Sequence, residues 1–205
     1  ADENTSLNSP HSFVVPPLTE GKHSFEITVD NRPQLDISFS NLCHSYTDDT
    51  QTIWNGVLGD FTLSVIPEIE LQKPEVYPDI TTGSVTLKLP VTNRTGKKKN
   101  ENITFTITEK ATGRITGSLT QKHAITPGAS EINAVINLDS CTLWNEFTPV
   151  LYSLDIKAGN SSATTTFGMR EVASAGKSIL VNGQKVFLRG TLDCCVFPLT
   201  GVPPT

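Results

Sequence analysis

Apolar and polar residues alternate along most of this chain, and helical periodicity is nearly absent. Alternation at period two sends side chains to opposite faces of a strand, one face packed and one wet. His23-Ser24-Phe25-Glu26-Ile27-Thr28-Val29 follows that rule and stops at the turn cluster Asp30-Asn31-Arg32-Pro33. Leu35 to Phe39 and Asp60 to Val65 repeat it, and the polar stretch His44 to Asn55, rich in Asp and Thr, is expected to be a long loop. A second series begins near Pro67-Glu68. Ile69-Glu70-Leu71 leads into Pro74 and Pro78, an edge-strand or linker signature, because proline cannot donate to a sheet ladder. Further runs cover Ser84–Leu89, Ile103–Ile107, Ile115–Leu119, Ile132–Leu138, Tyr152–Ile156 and Ala163–Phe167.

Turn residues separate these runs: Asn93-Arg94-Thr95-Gly96, Ala111-Thr112-Gly113 and Thr126-Pro127-Gly128. About seven short strands within roughly 100 residues predict an immunoglobulin-like β-sandwich. The Cys…Trp…Cys pattern of antibody domains is missing, so only the architecture is implied. Farther on, Ser178-Ile179-Leu180-Val181 and Gln184 to Leu188 flank Asn182-Gly183. Both turn residues tolerate positive φ, so this pair predicts a tight type I′ hairpin. The second run ends at Arg189-Gly190 with only a short tail to Thr205, which reads as the opening piece of a further domain. No internal repeat or low-complexity tract is visible.

Composition narrows the function. The chain has 205 residues, is 37% hydrophobic and 18% charged, and carries a net charge of −5. Phosphate contact needs a basic footprint, so nucleic-acid binding is excluded as the main task. The one basic run, Lys97-Lys98-Lys99, is expected at a solvated hairpin tip. No stretch approaches the roughly 18 apolar residues of a membrane helix, and no signal peptide opens the chain. Cys43, Cys141, Cys194 and Cys195 fit neither a zinc pattern nor a disulfide scaffold and are read as free thiols.

Catalytic motifs are scarce. The chain has no Gly-x-Ser-x-Gly elbow and no phosphate-cradling glycine loop. His11, His23, His44 and His123 show no ligand spacing. Asp48-Asp49 is the one paired carboxylate of interest, but sequence neighbours do not straddle a glycosidic bond, and the plain alternative is a turn-forming aspartate. Trp54-Asn55-Gly56 suits a sugar, with the ring against C–H groups and the amide against hydroxyls; its plain alternative is a core tryptophan. Trp144 is read as structural, an aromatic plugging the end of the sandwich. A thiol enzyme using Cys194 or Cys195 lacks a visible base.

Three stretches resemble glycoside hydrolase family 2, which contains β-galactosidases, β-glucuronidases and β-mannosidases. The first, from Thr47 to Asp60, is similar to the end of the family's N-terminal jelly-roll, where a Trp-Asn-Gly-like motif precedes the last strand; here it is Trp54-Asn55-Gly56. The second, Leu143-Trp144-Asn145-Glu146-Phe147-Thr148-Pro149-Val150-Leu151-Tyr152-Ser153-Leu154, resembles the Leu-Trp…Pro-x-Leu-Tyr-x-Leu signature of the central immunoglobulin-like domain. The third joins Phe167-Gly168-Met169-Arg170 to Asn182-Gly183 and Leu188-Arg189-Gly190. It resembles the junction where the family's (β/α)8 barrel begins.

The resemblance implies an all-β fragment with three parts. Residues 1–67 would be the closing part of a sugar-binding-like jelly-roll, 68–170 the immunoglobulin-like sandwich, and 171–205 the hairpin and first strand of a truncated catalytic TIM barrel. Family members cleave terminal β-glycosidic bonds with retention, using two glutamates on late barrel strands. Neither glutamate would fall in this chain, so no catalytic residue is assigned and the 205 residues alone are expected to be inactive. Substrate contacts implied by the resemblance are Asp49, Trp54, Asn55, Arg189 and Asp193. Arg189 matches the arginine of the Leu-Arg-Gly motif at a strand's working end, where it would favour charged carboxylates or brace the barrel mouth. Asp193 stands where many relatives carry a Val-Asn and His-Glu sequence, a departure that puts the sugar and metal contacts of β-galactosidases in doubt.

No cofactor and no metal are implied. The expected partner is a glycan substrate bound through the full-length enzyme, with no nucleic acid, no membrane insertion and room for a homo-oligomer. The location implied is periplasmic or secreted. The rival reading from another class is a non-catalytic carbohydrate-binding or adhesive β-sandwich module with Trp54 as its sugar platform.

Overall fold

The computed structural model describes residues 3–5, 10–30, 56–57 and 60–191. The chain divides into two compact units, Ala1–Phe61 with Leu192–Thr205, and Thr62–Thr191. In the first unit, the described residues form no strand. The alternating run from His23 to Val29 is therefore not a sheet strand, and its Phe25, Ile27 and Val29 are exposed. Residues 60–67 likewise lie outside any sheet, with Val65 96% exposed. These two strand expectations are corrected. Alternation gives a segment two faces, but a strand also needs a neighbour that pairs with it and covers one of them. The run Leu35 to Phe39 and the loop from His44 to Asn55 lie outside the described residues.

The second unit is all β, with no helix among the described residues. Its strands are β1 (Ile69–Leu71), β2 (Glu75–Asp79), β3 (Ser84–Asn93), β4 (Lys99–Glu109), β5 (Ile115–Ile125), β6 (Gly128–Asn137), β7 (Tyr152–Ala158), β8 (Ser161–Phe167), β9 (Val172–Ala175), β10 (Ser178–Val181) and β11 (Gln184–Val186). Every pairing is antiparallel. In the first sheet β3 is central: β6 runs along its whole length, while β1 and β2 pair with its two ends in tandem. The second sheet has the order β5-β4-β7-β8.

Alternation explains how the two sheets close on each other. Val85, Leu87, Leu89 and Val91 of β3 point inward, as do Ile103, Phe105 and Ile107 of β4 and Tyr152, Leu154 and Ile156 of β7. Their neighbours in sequence are polar and face water, as at Thr86, Lys88 and Lys157. One continuous apolar core results, and truncating a central member such as Phe105 to alanine would cost about 3–5 kcal/mol. Gly117 marks a close approach: a Cβ there would lie 2.9 Å from the Asn137 carbonyl oxygen across the sandwich. At one margin the Leu71 N–H donates to the buried Ser161 hydroxyl at 3.0 Å, joining β1 of one sheet to β8 of the other.

Each of the seven runs read from Ile69 onward falls on an observed strand, and most strands extend beyond the run. Glu75–Asp79 adds a short edge strand in which Pro78 sits opposite Val85, a position where a missing N–H is tolerated. The lysine run differs from expectation. Strands β3 and β4 belong to different sheets, so Lys97 and Lys98 lie on a crossover that enters β4 at Lys99, and not at a hairpin tip. The crossover is organised by Asn93, whose buried amide donates to the carbonyls of Lys97 (2.8 Å) and Ile125 (3.0 Å) while its oxygen accepts from Thr95.

A small third sheet, β11-β10-β9, follows the sandwich. Val181 pairs with Gln184, and the two residues between them, Asn182 and Gly183, have φ of 51° and 75°. That is the two-residue, positive-φ connection that Asn-Gly favours.

Candidate functional site

Residues from two separate motifs meet in space between the sandwich and the third sheet. Trp144 stands in the loop between β6 and β7. Its backbone N–H donates to the Met169 carbonyl at 2.8 Å, and Met169 itself is fully buried in the core cluster. Gly168 lies against the indole: a Cβ there would fall 2.8 Å from Trp144 Cβ and 2.9 Å from Cγ. Only a residue without a side chain allows this contact. The Arg170 guanidinium then covers the ring at 4.5 Å from its centroid, a cation–π pairing. Phe-Gly-Met-Arg is thus read locally as phenylalanine into the sandwich, glycine under the indole, methionine into the core and arginine over the indole.

Asn182 completes the junction. Its side-chain nitrogen donates to the Trp144 carbonyl at 2.8 Å, and its side-chain oxygen accepts from the Glu171 N–H at 2.9 Å. Its own N–H donates to the Glu171 carbonyl at 2.9 Å. One residue therefore holds the hairpin turn, the segment leaving β8 and the sandwich loop together. Read from sequence, Asn182 is only a turn former and Gly168 only part of a boundary motif. The missing signal is a tertiary one: Trp144, Gly168 and Asn182 are far apart in sequence, and a single sequence does not show that they touch.

The same loop is braced from two other directions. Asn145 Oδ1 accepts from the N–H groups of Phe147 (2.9 Å) and Thr148 (2.8 Å), an Asx turn that leaves the Phe147 ring exposed. Tyr152, fully buried at the start of β7, accepts a hydrogen bond from the Thr142 N–H at 2.8 Å. Two shallow depressions border this region. One, of about 480 Å³, is lined by Lys110, Ala111, Phe147, Pro149, Val150 and Leu151. The other, of about 250 Å³, is lined by Val76, Pro78, Phe167, Gly168, Arg170 and Val172. Neither lining carries a carboxylate or an imidazole, so neither offers the carboxyl pair that glycoside cleavage uses.

Of the five residues expected to touch substrate, the structure describes one. Arg189 follows β11, is exposed, and sits with its guanidinium 5.9 Å from the Phe187 ring centroid. No carboxylate pairs with it among the described residues. Asp49, Trp54, Asn55 and Asp193 lie outside the described residues, as do Cys43, Cys194 and Cys195. Cys141 is a free thiol. Two described carboxylates form ion pairs within the sandwich: Glu70 with Arg94 at 2.6 Å and Glu109 with Arg114 at 3.2 Å. Asp79 accepts from the Thr82 and Thr81 N–H groups, led by Thr82, and these bonds hold its carboxyl below the usual aspartate range. Among the described residues no group of three or more His, Cys, Asp or Glu could hold a metal ion.

Comparison with known proteins places this architecture. No curated protein matches the sequence. Among solved structures, a glycosyl hydrolase family 2 member from Bacteroides cellulosilyticus DSM 14838 aligns with a TM-score of 0.55 and 15% identity, covering 61% of this chain and 19% of that one. A β-glucuronidase from glycoside hydrolase family 2 aligns with a TM-score of 0.52 and 18% identity, covering 60% and 15%. This chain spans less than a fifth of either structure's length, and at these identities the likeness concerns the fold. The model of the family described as glycosyl hydrolases family 2 matches residues 68–170, just over half of the chain. On that match, the chain belongs to the glycosyl hydrolases family 2.

Proposed function

We propose that this chain is the accessory-domain portion of a retaining β-glycosidase acting on terminal β-glycosidic bonds. The observation that carries the reading is the family match over residues 68–170. Residues 1–67 are then the closing part of a jelly-roll, 68–170 an immunoglobulin-like sandwich, and 171–205 the lead-in to a (β/α)8 barrel. Two features support the immunoglobulin-like assignment. The chain changes sheet between β3 and β4, between β5 and β6, and between β6 and β7. Tyr152 hydrogen-bonds back to the Thr142 backbone from the start of β7, as the tyrosine corner of such sandwiches does.

The chemistry in this reading belongs to two glutamates on later barrel strands. One protonates the leaving oxygen and the other attacks the anomeric carbon; the carboxyls stand about 5–5.5 Å apart in retaining enzymes. Asp49, Trp54, Asn55 and Asp193 contribute substrate contacts. Arg189 follows β11 by three residues, and in this reading it stands at the working end of the first barrel strand, where a cation stabilises charged carboxylates nearby. The junction of Trp144, Gly168, Arg170 and Asn182 holds the hairpin in a fixed relation to the sandwich, and so fixes the start of the segment that leads to Arg189. The glycan is the partner, and the enzyme works in the periplasm or outside the cell.

The test compares the 205-residue chain with the same chain extended by a family 2 barrel, on a panel of aryl β-glycosides. Turnover is expected only from the extended protein and is abolished by changing either barrel glutamate to glutamine. Turnover by the 205-residue chain would overturn the proposal. Glycan binding by that chain, lost in Trp54→Ala, would favour a carbohydrate-binding module instead.

A further inference from the structure

The Asn182-Gly183 peptide carries a chemical liability as well as a turn. An asparagine side chain can be attacked by the backbone nitrogen of the residue that follows it. The nitrogen of Gly183 forms a bond to Asn182 Cγ, the bond from Cγ to the side-chain Nδ2 breaks, and ammonia leaves with the proton the backbone nitrogen gives up. Water then opens the cyclic imide, leaving aspartate or its β-linked isomer at the position. Glycine is the least hindered residue to follow an asparagine, and here nothing lies within 4 Å of where a Cβ on Gly183 would sit. Gly183 is also exposed.

The fold holds the other reactant. Both polar atoms of the Asn182 side chain are engaged, Nδ2 on the Trp144 carbonyl and Oδ1 on the Glu171 N–H. To bring Cγ onto the Gly183 nitrogen the amide must leave both partners. The reaction therefore runs only from a state in which the hairpin has let go of the sandwich loop. Its consequence follows from the same two contacts. An aspartate can still accept from the Glu171 N–H, but its second oxygen would face the Trp144 carbonyl oxygen, acceptor against acceptor, where a donor had been. The charge adds to the cost, because a partly buried carboxylate in place of a satisfied amide loses hydration without gaining a donor.

We propose that Asn182-Gly183 is a conformation-gated deamidation site, and that its conversion to a carboxylate irreversibly unlatches the β9–β11 sheet from the sandwich. Deamidation then reports how often this junction opens. The proposal concerns the 205-residue chain itself and does not depend on the glycosidase reading.

Two measurements test it. The first follows the amide-to-acid mass change in the 182–183 peptide when the 205-residue chain is held in mildly alkaline buffer, folded or in concentrated urea. Conversion is expected to be about tenfold or more slower in the folded chain, in line with the two hydrogen bonds that must break. Equal rates would overturn the gating. The second compares hydrogen exchange in the unmodified chain and in Asn182→Asp. Amides of β9, β10 and β11 are expected to exchange about tenfold or more faster in the variant, while β3, β4 and β7 keep their protection. Unchanged protection in β9–β11 would overturn the unlatching. If the variant folds poorly, the same exchange measurement on the isolated deamidated wild-type chain decides the point.

Discussion

Gly168→Ala puts the junction to a quantitative test. The added methyl would stand 2.8 Å from Trp144 Cβ, 2.9 Å from Cγ and 3.1 Å from Cδ1. Carbon atoms in favourable contact sit roughly 3.5–4.0 Å apart, so the methyl and the indole must separate by close to an ångström. The indole cannot simply swing away. Its backbone N–H is held by the Met169 carbonyl, its carbonyl by Asn182, and its outer face by Arg170. Gly168 does not have a positive φ, so no backbone strain confuses the reading. Overpacking of this kind costs about 1–3 kcal/mol. For a unit of this size that lowers Tm by about 3–10 °C. The assay is thermal and urea unfolding of the 205-residue chain followed by far-UV circular dichroism. Trp144→Leu removes the opposing ring, and in a double-mutant cycle the Gly168→Ala penalty should shrink by about 0.5–3 kcal/mol. If Gly168→Ala is as stable as the parent, or its penalty is the same with leucine at 144, the steric argument is wrong.

Three further outcomes are expected. Tyr152→Phe keeps the buried ring but strips the acceptor from the Thr142 N–H, and should cost about 1–2 kcal/mol in urea unfolding. Ser161→Ala leaves the Leu71 N–H without its acceptor at a buried site; a loss of about 1–3 kcal/mol is expected, with β1 amides losing protection before those of β3. Asp79 has its pKa lowered by the Thr82 and Thr81 N–H groups, so its contribution is complete above the ordinary aspartate value of 3.8 and is lost as pH falls through the lower folded value. The amide resonances of Thr81 and Thr82 should therefore titrate with a midpoint below 3.8, and a midpoint at or above it would contradict the assigned bonds.

How much was legible in the sequence depended on which physical signal each feature carries. The central sandwich strands are legible because each buries one face and wets the other, so pattern and packing agree at Leu87, Phe105 and Ile156, whereas in β5 Ile115 is exposed and Thr116 buried. The run from His23 to Val29 has the same pattern without a strand in the described residues. The turn at Asn182-Gly183 was legible because its φ demand is local. Lys97 to Lys99 differs from expectation because composition shows a solvated loop but not whether it turns within a sheet or crosses to another. Of the substrate contacts expected from the motifs, only Arg189 falls on described residues, and it is there as an exposed cation beside Phe187.

The junction also shows why motif residues need not be chemical ones. Trp144, Gly168, Arg170 and Asn182 all belong to stretches that mark a family, and a motif invites the inference that its residues touch substrate. Here each has a complete mechanical account: an indole as the platform, a glycine that lets it close in, a guanidinium on its face, and an amide bridging three chain segments. Arginine and tryptophan would each suit a sugar equally well if judged singly. Geometry separates the cases, since the guanidinium of Arg170 occupies a face of the Trp144 ring that a sugar would need, whereas Arg189 carries no ion pair among the described residues. A residue whose bonds are all made within the fold is positioned to transmit orientation. One with no ion pair among the described residues is better placed to meet something else. By that criterion a contact outside the fold should be sought at Arg189 before Arg170, and Arg170→Gln should lower stability in urea unfolding by about 0.5–2 kcal/mol and speed hydrogen exchange in the β9–β11 hairpin that leads to Arg189.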